Sequence, residues 1–262
     1  MAAAAALAAA CATAPYTQRH QLILLSPKEE QKLGATAFQD VLQKSDVTHD
    51  PALVVPVTEV GRRIAAVANQ PDYRWQFAVI DDDVPNAFAL PGGYVAVYTG
   101  IFPIARTTAG LAVVMGHEIA HAIARHGAER ASQAMVAQTG SAVLGAAVGS
   151  GTASQAVMAA YGLGAQYGLL LPWSRTQESE ADHIGLILMA KAGYDPREAI
   201  DFWERMRQAS DREAIEFLST HPGHGTREQQ IRDWLPDALQ YYQRAQKAPV
   251  ATLPPAVAAK SG

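Results

Sequence analysis

The sequence predicts an α+β domain that is mainly helical, with one small β-sheet. Three observations carry this. Several long segments place apolar residues at three- and four-residue intervals behind recognisable helix starts. Only the stretch from Tyr73 to Tyr98 alternates or extends between turn residues. No long linker or internal repeat divides the 262 residues, so they read as one folded domain. A hydrophobic content of 49% is enough for a core, and a net charge of −4 gives no electrostatic footprint for nucleic acid, so no nucleic-acid partner is expected.

Residues 1–25 are expected to lie outside the fold. Met1 to Ala10 is alanine with one leucine, similar to the apolar part of a secretion signal without its charged start. Leu7-Ala8-Ala9-Ala10-Cys11 is similar to a bacterial lipoprotein processing site, which would make Cys11 a lipid-bearing tether; the other reading is a low-complexity tail with a free thiol. Ser26-Pro27-Lys28-Glu29 is a capping box with Pro at the first helical position, opening a helix to about Gln43. A second helix runs from about Val57 to Ala68. Tyr73 to Ile80 is a half-buried strand with Trp75, Phe77 and Val79 on one face. Ala87 to Leu90 and Tyr94 to Tyr98 complete the sheet, joined through the Pro91-Gly92-Gly93 turn.

A core helix follows. Ala109 to Gly116 carries no charge, Leu111, Met115, Ile119 and Ile123 recur every four residues, and Thr107 or Thr108 caps the start. This helix contains His117-Glu118-Ile119-Ala120-His121. Residues four apart share a helix face, so the two imidazoles can bind one metal ion, with Glu118 beside them to handle a water molecule. Two histidines and a glutamate in an apolar helix are costly to bury without a partner.

A third ligand is needed. His126 comes too early, Ala124 stands where a helix-breaking glycine would be, and at about 100° per residue His126 points away from His117. A surface or helix-end role is expected for it. Ser174 to Asp182 supplies an alternative in Glu178, with Asp182 four residues on and Ile184, Leu186, Ile187 and Leu188 behind. Glu178 would bind the metal, and Asp182 would accept a hydrogen bond from His117 and fix its tautomer. Glu180 points roughly 160° from Glu178 and is expected in solvent. Arg175 is expected to orient carboxylates near the site.

Between these motifs, Ala131 to Ser174 is charge-free and rich in Gly, Ala and Ser, but no stretch of about twenty residues is strongly apolar throughout. It reads as closely packed helices, with Leu169 to Trp173 as a minor candidate for lipid contact. Asp195-Pro196-Arg197-Glu198 opens a helix to about Ala209, with Phe202, Trp203 and Met206 as core. Glu216 to Thr226 holds a loop with His221, and the last helix runs to about Gln246. Ala248 to Gly262, rich in Pro and Ala, is expected to be disordered.

His117-Glu118-Ile119-Ala120-His121 followed by Ser174 to Asp182 resembles the zinc metallopeptidases that include the heat-shock protease HtpX, the CAAX prenyl endopeptidase and the mitochondrial protease Oma. Asn86 to Gly93 before the active helix, and Thr220-His221-Pro222 with Arg227 after it, match in the same order. The resemblance covers roughly residues 20–247 and is greatest to the soluble, envelope-located bacterial branch. It implies a zincin-like catalytic domain over residues 26–247, one zinc ion per chain held by His117, His121 and Glu178, with Glu118 as base and His221 and Arg227 at the rim. It implies endopeptidase activity on misfolded or membrane-associated proteins, located on the periplasmic side of a bacterial envelope as an outer-membrane lipoprotein. In such peptidases an edge strand can hold the substrate backbone, and Asn86, Ala87, Phe88 and Ala89 are the candidates. His221 either donates to the oxyanion, as Arg227 can, or takes the fourth zinc position and keeps the enzyme latent. Two other readings compete. One is a lipid-tethered assembly factor that holds outer-membrane clients in its zinc cleft. The other is a structural metal site with four protein ligands.

Overall fold

Helix α4, Thr108–Ile123, runs through the centre of the protein with every residue buried. In the computed structural model, which describes residues 11–142, 174–210, 216–221 and 225–254, the other elements are arranged around it. The Thr107 hydroxyl accepts a hydrogen bond from Gly110 N and caps this helix, settling which threonine starts it.

Ahead of it lie β1 (Cys11–Thr13), β2 (His20–Leu22), α1 (Pro27–Lys44), α2 (Pro51–Val67), β3 (Gln76–Ile80), β4 (Ala87–Leu90), β5 (Tyr94–Tyr98) and the short α3 (Phe102–Ala105). The Ser26–Glu29 capping box of α1 is present in both directions. Helix α2 begins six residues before the expected Val57. Asp50 caps it through Ala52 N, Pro51 occupies the first turn, and Pro56 sits inside at the loss of one backbone bond rather than at the boundary.

The sheet has the order β3-β5-β4, with β3 parallel and β4 antiparallel to β5. Both faces are covered. Val79, Ala87, Ala89, Val95 and Val97 pack with Val57, Val60 and Ile64 of α2 and Leu111 and Met115 of α4. Ala78, Ile80, Phe88, Leu90, Tyr94 and Ala96 pack with Ala37 and Phe38 of α1. That is why β3 ends in three consecutive buried residues instead of the half-buried alternation expected from its sequence.

Behind α4 lie α5 (His126–Ala142), α6 (Arg175–Lys191), α7 (Glu198–Ser210), α8 (Glu216–Thr220) and α9 (Arg227–Arg244). Helices α4 and α6 touch backbone to backbone. A Cβ at Gly185 would lie 2.8 Å from His117 N, and one at Gly116 would lie 3.0 Å from Gly185 O. No helix among the described residues is long and apolar enough to cross a membrane.

Both chain ends differ from expectation. Strands β1 and β2 form a hairpin that docks through Gln21 Nε2 to Ala124 O at 2.8 Å, so residues 11–22 belong to the fold. At the other end, Thr108 N donates to Ala251 O at 2.9 Å and Leu253 N to Arg106 O at 2.8 Å. Ala251 thus supplies an acceptor at the start of α4, where helix N–H groups lack intrahelical partners, and Leu253 donates to the loop just before it. The rest of the expected tail, the signal-like Met1 to Ala10, most of the charge-free segment with Leu169 to Trp173, and Pro222 all lie outside the described residues.

Candidate metal centre

His117 and His121 are one turn apart on α4 and point their Nε2 atoms at the same spot, 3.1 Å from each other. From α6, Glu178 brings Oε1 to 3.2 Å from His121 Nε2 and Oε2 to 3.6 Å from His117 Nε2. From the end of α8, His221 brings Nδ1 to 3.2 Å from His117 Nε2 and 3.0 Å from Glu178 Oε1. One donor atom from each of these four buried residues lies within 4.8 Å of the others.

One proton can join two imidazole nitrogens, but three of them converging with a carboxylate oxygen leave lone pairs facing one another unless a cation lies between them. A zinc ion with ligands at about 2.0–2.1 Å in a tetrahedron would hold them about 3.3 Å apart. The spacing of the three nitrogens and the carboxylate therefore fits zinc. Electrostatics agree. Burial pushes the His121 pKa well below its ordinary value, which leaves the ring neutral with a lone pair to offer. Burial opposes ionisation of Glu178, but His221 and His117 outweigh it and hold the carboxyl well below the usual range. Burial also opposes a charge on His117, yet Glu178 and Asp182 raise its pKa. Carboxylates that favour a proton there favour a cation in its place.

Asp182 sits as expected, with Oδ1 2.9 Å from His117 Nδ1. Its other oxygen accepts from Arg227 Nε at 2.7 Å, and Arg227 Nη2 donates to Glu178 Oε2 at 2.6 Å. The guanidinium lies 4.0 Å above the Trp203 ring. The orienting role expected of Arg175 thus falls to Arg227, which is buried, whereas Arg175 is exposed at the first position of α6. Among the described residues, Arg227 Nη1 and Glu118 Oε1 are buried without hydrogen-bond partners, and His221 Nε2 lies 3.6 Å from Glu118 Oε1. Burial raises the Glu118 pKa against the opposing pull of His221 and His117.

Two expectations about exposure are overturned here. His126 does stand at a helix end, as the first residue of α5, but it is fully buried, with Nδ1 2.9 Å from His121 Nδ1 and Nε2 2.9 Å from Glu180 Oε2. Glu180 is buried too, accepting from Arg19 Nε at 2.8 Å and from the Thr17 hydroxyl. Neither residue belongs to the four-donor cluster, and the direction in which Glu180 points is filled by the β1–β2 hairpin. The signal available in the sequence was a third histidine five residues after His121, next to a charged run.

Asn86 to Ala89 lie at the sheet's edge, where β4 packs against α4. Tyr98 N donates to Asn86 O, and Asn86 Oδ1 accepts from Ala87 N. By antiparallel alternation, Ala87 and Ala89 turn their main-chain groups away from β5.

A model of peptidase family M48 matches residues 55–235. The mitochondrial metalloendopeptidase OMA1 of Schizosaccharomyces pombe is 37% identical over 86% of this chain and 66% of its own length. That of Saccharomyces cerevisiae is 31% identical over 88% of this chain and 71% of its own. The putative beta-barrel assembly-enhancing protease of Vibrio cholerae is 34% identical over 74% of this chain, which spans only 42% of it. The expected location, as an outer-membrane lipoprotein of a bacterial envelope, is corrected by this comparison, because the relatives matched over 86% of the chain or more are mitochondrial enzymes. The lipoprotein reading rested on an alanine run before Cys11, and alanine-rich sequence carries little positional information. Cys11 itself begins strand β1, paired with Leu22.

Proposed function

The chain belongs to peptidase family M48, and on that premise we propose that it is a zinc-dependent endopeptidase that cleaves extended, non-native protein segments. The observation that carries this is Glu118 Oε1, a buried carboxylate oxygen that no hydrogen bond engages among the described residues, beside a four-donor metal cluster and 3.6 Å from His221 Nε2. A structural zinc site has no use for such an atom, and a client-holding cleft does not need a base. A base for hydrolysis does need an oxygen that no hydrogen bond engages.

His117, His121 and Glu178 would hold the zinc, with Asp182 fixing the His117 tautomer. Zinc bound there supplies a Lewis acid that polarises the scissile carbonyl and makes water acidic enough to react near neutral pH. Glu118 Oε1 takes the proton of the attacking water and passes it to the leaving amine. Arg227 Nη1, which has no hydrogen-bond partner among the described residues, is the candidate donor to the developing oxyanion. The outward main-chain groups of Ala87 and Ala89 are the candidate rail for a substrate strand, which would give broad sequence tolerance.

His221 Nδ1 stands where a fourth ligand would. This favours the latent reading over a plain oxyanion role: with His221 engaged the site is closed, and substrate must displace it.

The test is cleavage of an unfolded protein such as casein by wild type and Glu118→Gln, each with and without a metal chelator. Chelator-sensitive cleavage is expected from wild type. Glu118→Gln should keep its zinc and lose at least about a hundredfold in rate, because the amide cannot accept the proton. Undiminished cleavage by that variant, or cleavage indifferent to chelator, would overturn the proposal.

A further inference from the structure

We propose that His126, Glu180 and Arg19 form a positioning relay for the second zinc imidazole, His121, which makes the β1–β2 hairpin part of the metal centre. The inference deepens the zinc reading and rests on it.

Helix α4 stops at Ile123, and Arg125 takes a left-handed conformation (φ 60°) that turns the chain back sharply. The first residue of α5, His126, therefore folds its ring edge-on against His121, with centroids 4.9 Å apart. The two Nδ1 atoms are 2.9 Å apart. Two imidazole nitrogens at that distance share one proton, so one donates and the other accepts. A cation on His121 Nε2 requires the lone pair there and leaves the proton on His121 Nδ1. His121 then donates, and His126 Nδ1 accepts. The proton of His126 must sit on Nε2, where it meets Glu180 Oε2 at 2.9 Å. The chain of donors runs one way, from the metal position to a carboxylate.

Glu180 is itself held. Its Oε1 accepts from the Thr17 hydroxyl and its Oε2 from Arg19 Nε. The other end of the Arg19 guanidinium grips Glu129 through Nη1 at 2.7 Å and Nη2 at 2.8 Å. Gln177 Nε2 donates to the same carboxylate at 2.9 Å. Arg19 thus spans α5 and α6 from the hairpin. His117 needs no such relay, because its carboxylate, Asp182, lies on the same helix as Glu178 and reaches Nδ1 directly. The Nδ1 of His121 faces the other side, where it meets His126 Nδ1 and, through that ring, the Glu180 carboxylate. Burying this many charges is costly, and apolar residues would pack there at less expense; orientation of a ligand is a reason to keep them.

The experiment measures zinc affinity by competition with a chromophoric chelator, alongside thermal unfolding of the metal-free protein. His126→Leu removes the relay while filling the space. His126→Gln can still accept from His121 and donate to Glu180. His126→Leu is expected to lose about 10–100-fold in zinc affinity. His126→Gln is expected to recover most of it, and Arg19→Met to show a smaller loss in the same direction. A merely structural role would lower the unfolding temperature of both His126 variants and leave their affinities equal. Equal affinities for the two His126 variants, or wild-type affinity in folded His126→Leu, would overturn the relay. If His126→Leu does not fold, Arg19→Met decides: a loss supports the relay and wild-type affinity overturns it. A failure of wild type to bind zinc would instead defeat the metal reading.

Discussion

Arg227 donates to Glu178 Oε2 at 2.6 Å, and the same guanidinium holds Asp182. One cation from α9 therefore sets both carboxylates that α6 contributes to the metal centre. Burial works against the guanidinium's charge, but Asp182 and Glu178 raise its pKa and keep it protonated.

Arg227→Ala would leave two buried carboxylates without their cation. The metal-free protein is expected to lose about 3–5 kcal/mol in urea denaturation. Arg227→Lys should recover only part of this, because a single ammonium cannot reproduce the planar fork. Equal stability of the alanine variant and wild type would show that the two carboxylates do not depend on Arg227.

Gly185 sets the distance between α4 and α6. A methyl group there meets His117 N and Cα, which are backbone atoms that cannot rotate away. Gly185→Ala is expected to cost about 1–3 kcal/mol by overpacking, offset by a helix-propensity gain of about 1 kcal/mol. It should also weaken zinc binding, since Glu178 and Asp182 ride on the displaced helix. Calorimetry and chelator competition read the two effects, and an unchanged zinc affinity would mean that the helices separate without moving the ligands.

His221→Ala removes the fourth donor. Zinc affinity is expected to fall while cleavage of a short peptide, at saturating zinc, rises above wild type. A fall in both would return His221 to the oxyanion role.

Glu180 gives a pH signature. Burial favours its neutral acid, but hydrogen bonds from His126, Thr17 and Arg19 outweigh this and hold its pKa at about 2, against an ordinary value of 4.5. A depressed carboxyl pKa stabilises the fold above the unfolded-state value, and that contribution is lost as pH falls through the folded one. The stability difference between metal-free wild type and Glu180→Gln should therefore be complete above pH 4.5 and shrink toward pH 2. Its pH-dependent part should be about 1–2 kcal/mol after allowance for solvent screening on the Arg19 side. Parallel stability curves over that range would contradict the ion pair.

Periodicity made much of the fold readable. Helix α1 announced itself by its capping box, α4 by four-residue apolar spacing, and the sheet by its turns. The starts and ends were less legible. Pro56 reads as a boundary only if Asp50 and Pro51 are not recognised as a better one. A hairpin at Cys11–Leu22 depends on acceptors and carboxylates that other elements supply.

Local sequence determined the directions of His117, Glu118, His121, Glu178 and Asp182, because an α-helix assigns each side chain an angle about its own axis. It could not determine what occupies each direction. That Glu180 and His126 meet each other and the hairpin, that Arg227 rather than Arg175 bridges the carboxylates, and that His221 closes the cluster were decided only when separate elements packed. Those contacts join residues 43 to 163 positions apart. No repeat in the chain encodes such a meeting; it follows from two glycine-faced helices approaching closely enough to bring their polar sides together.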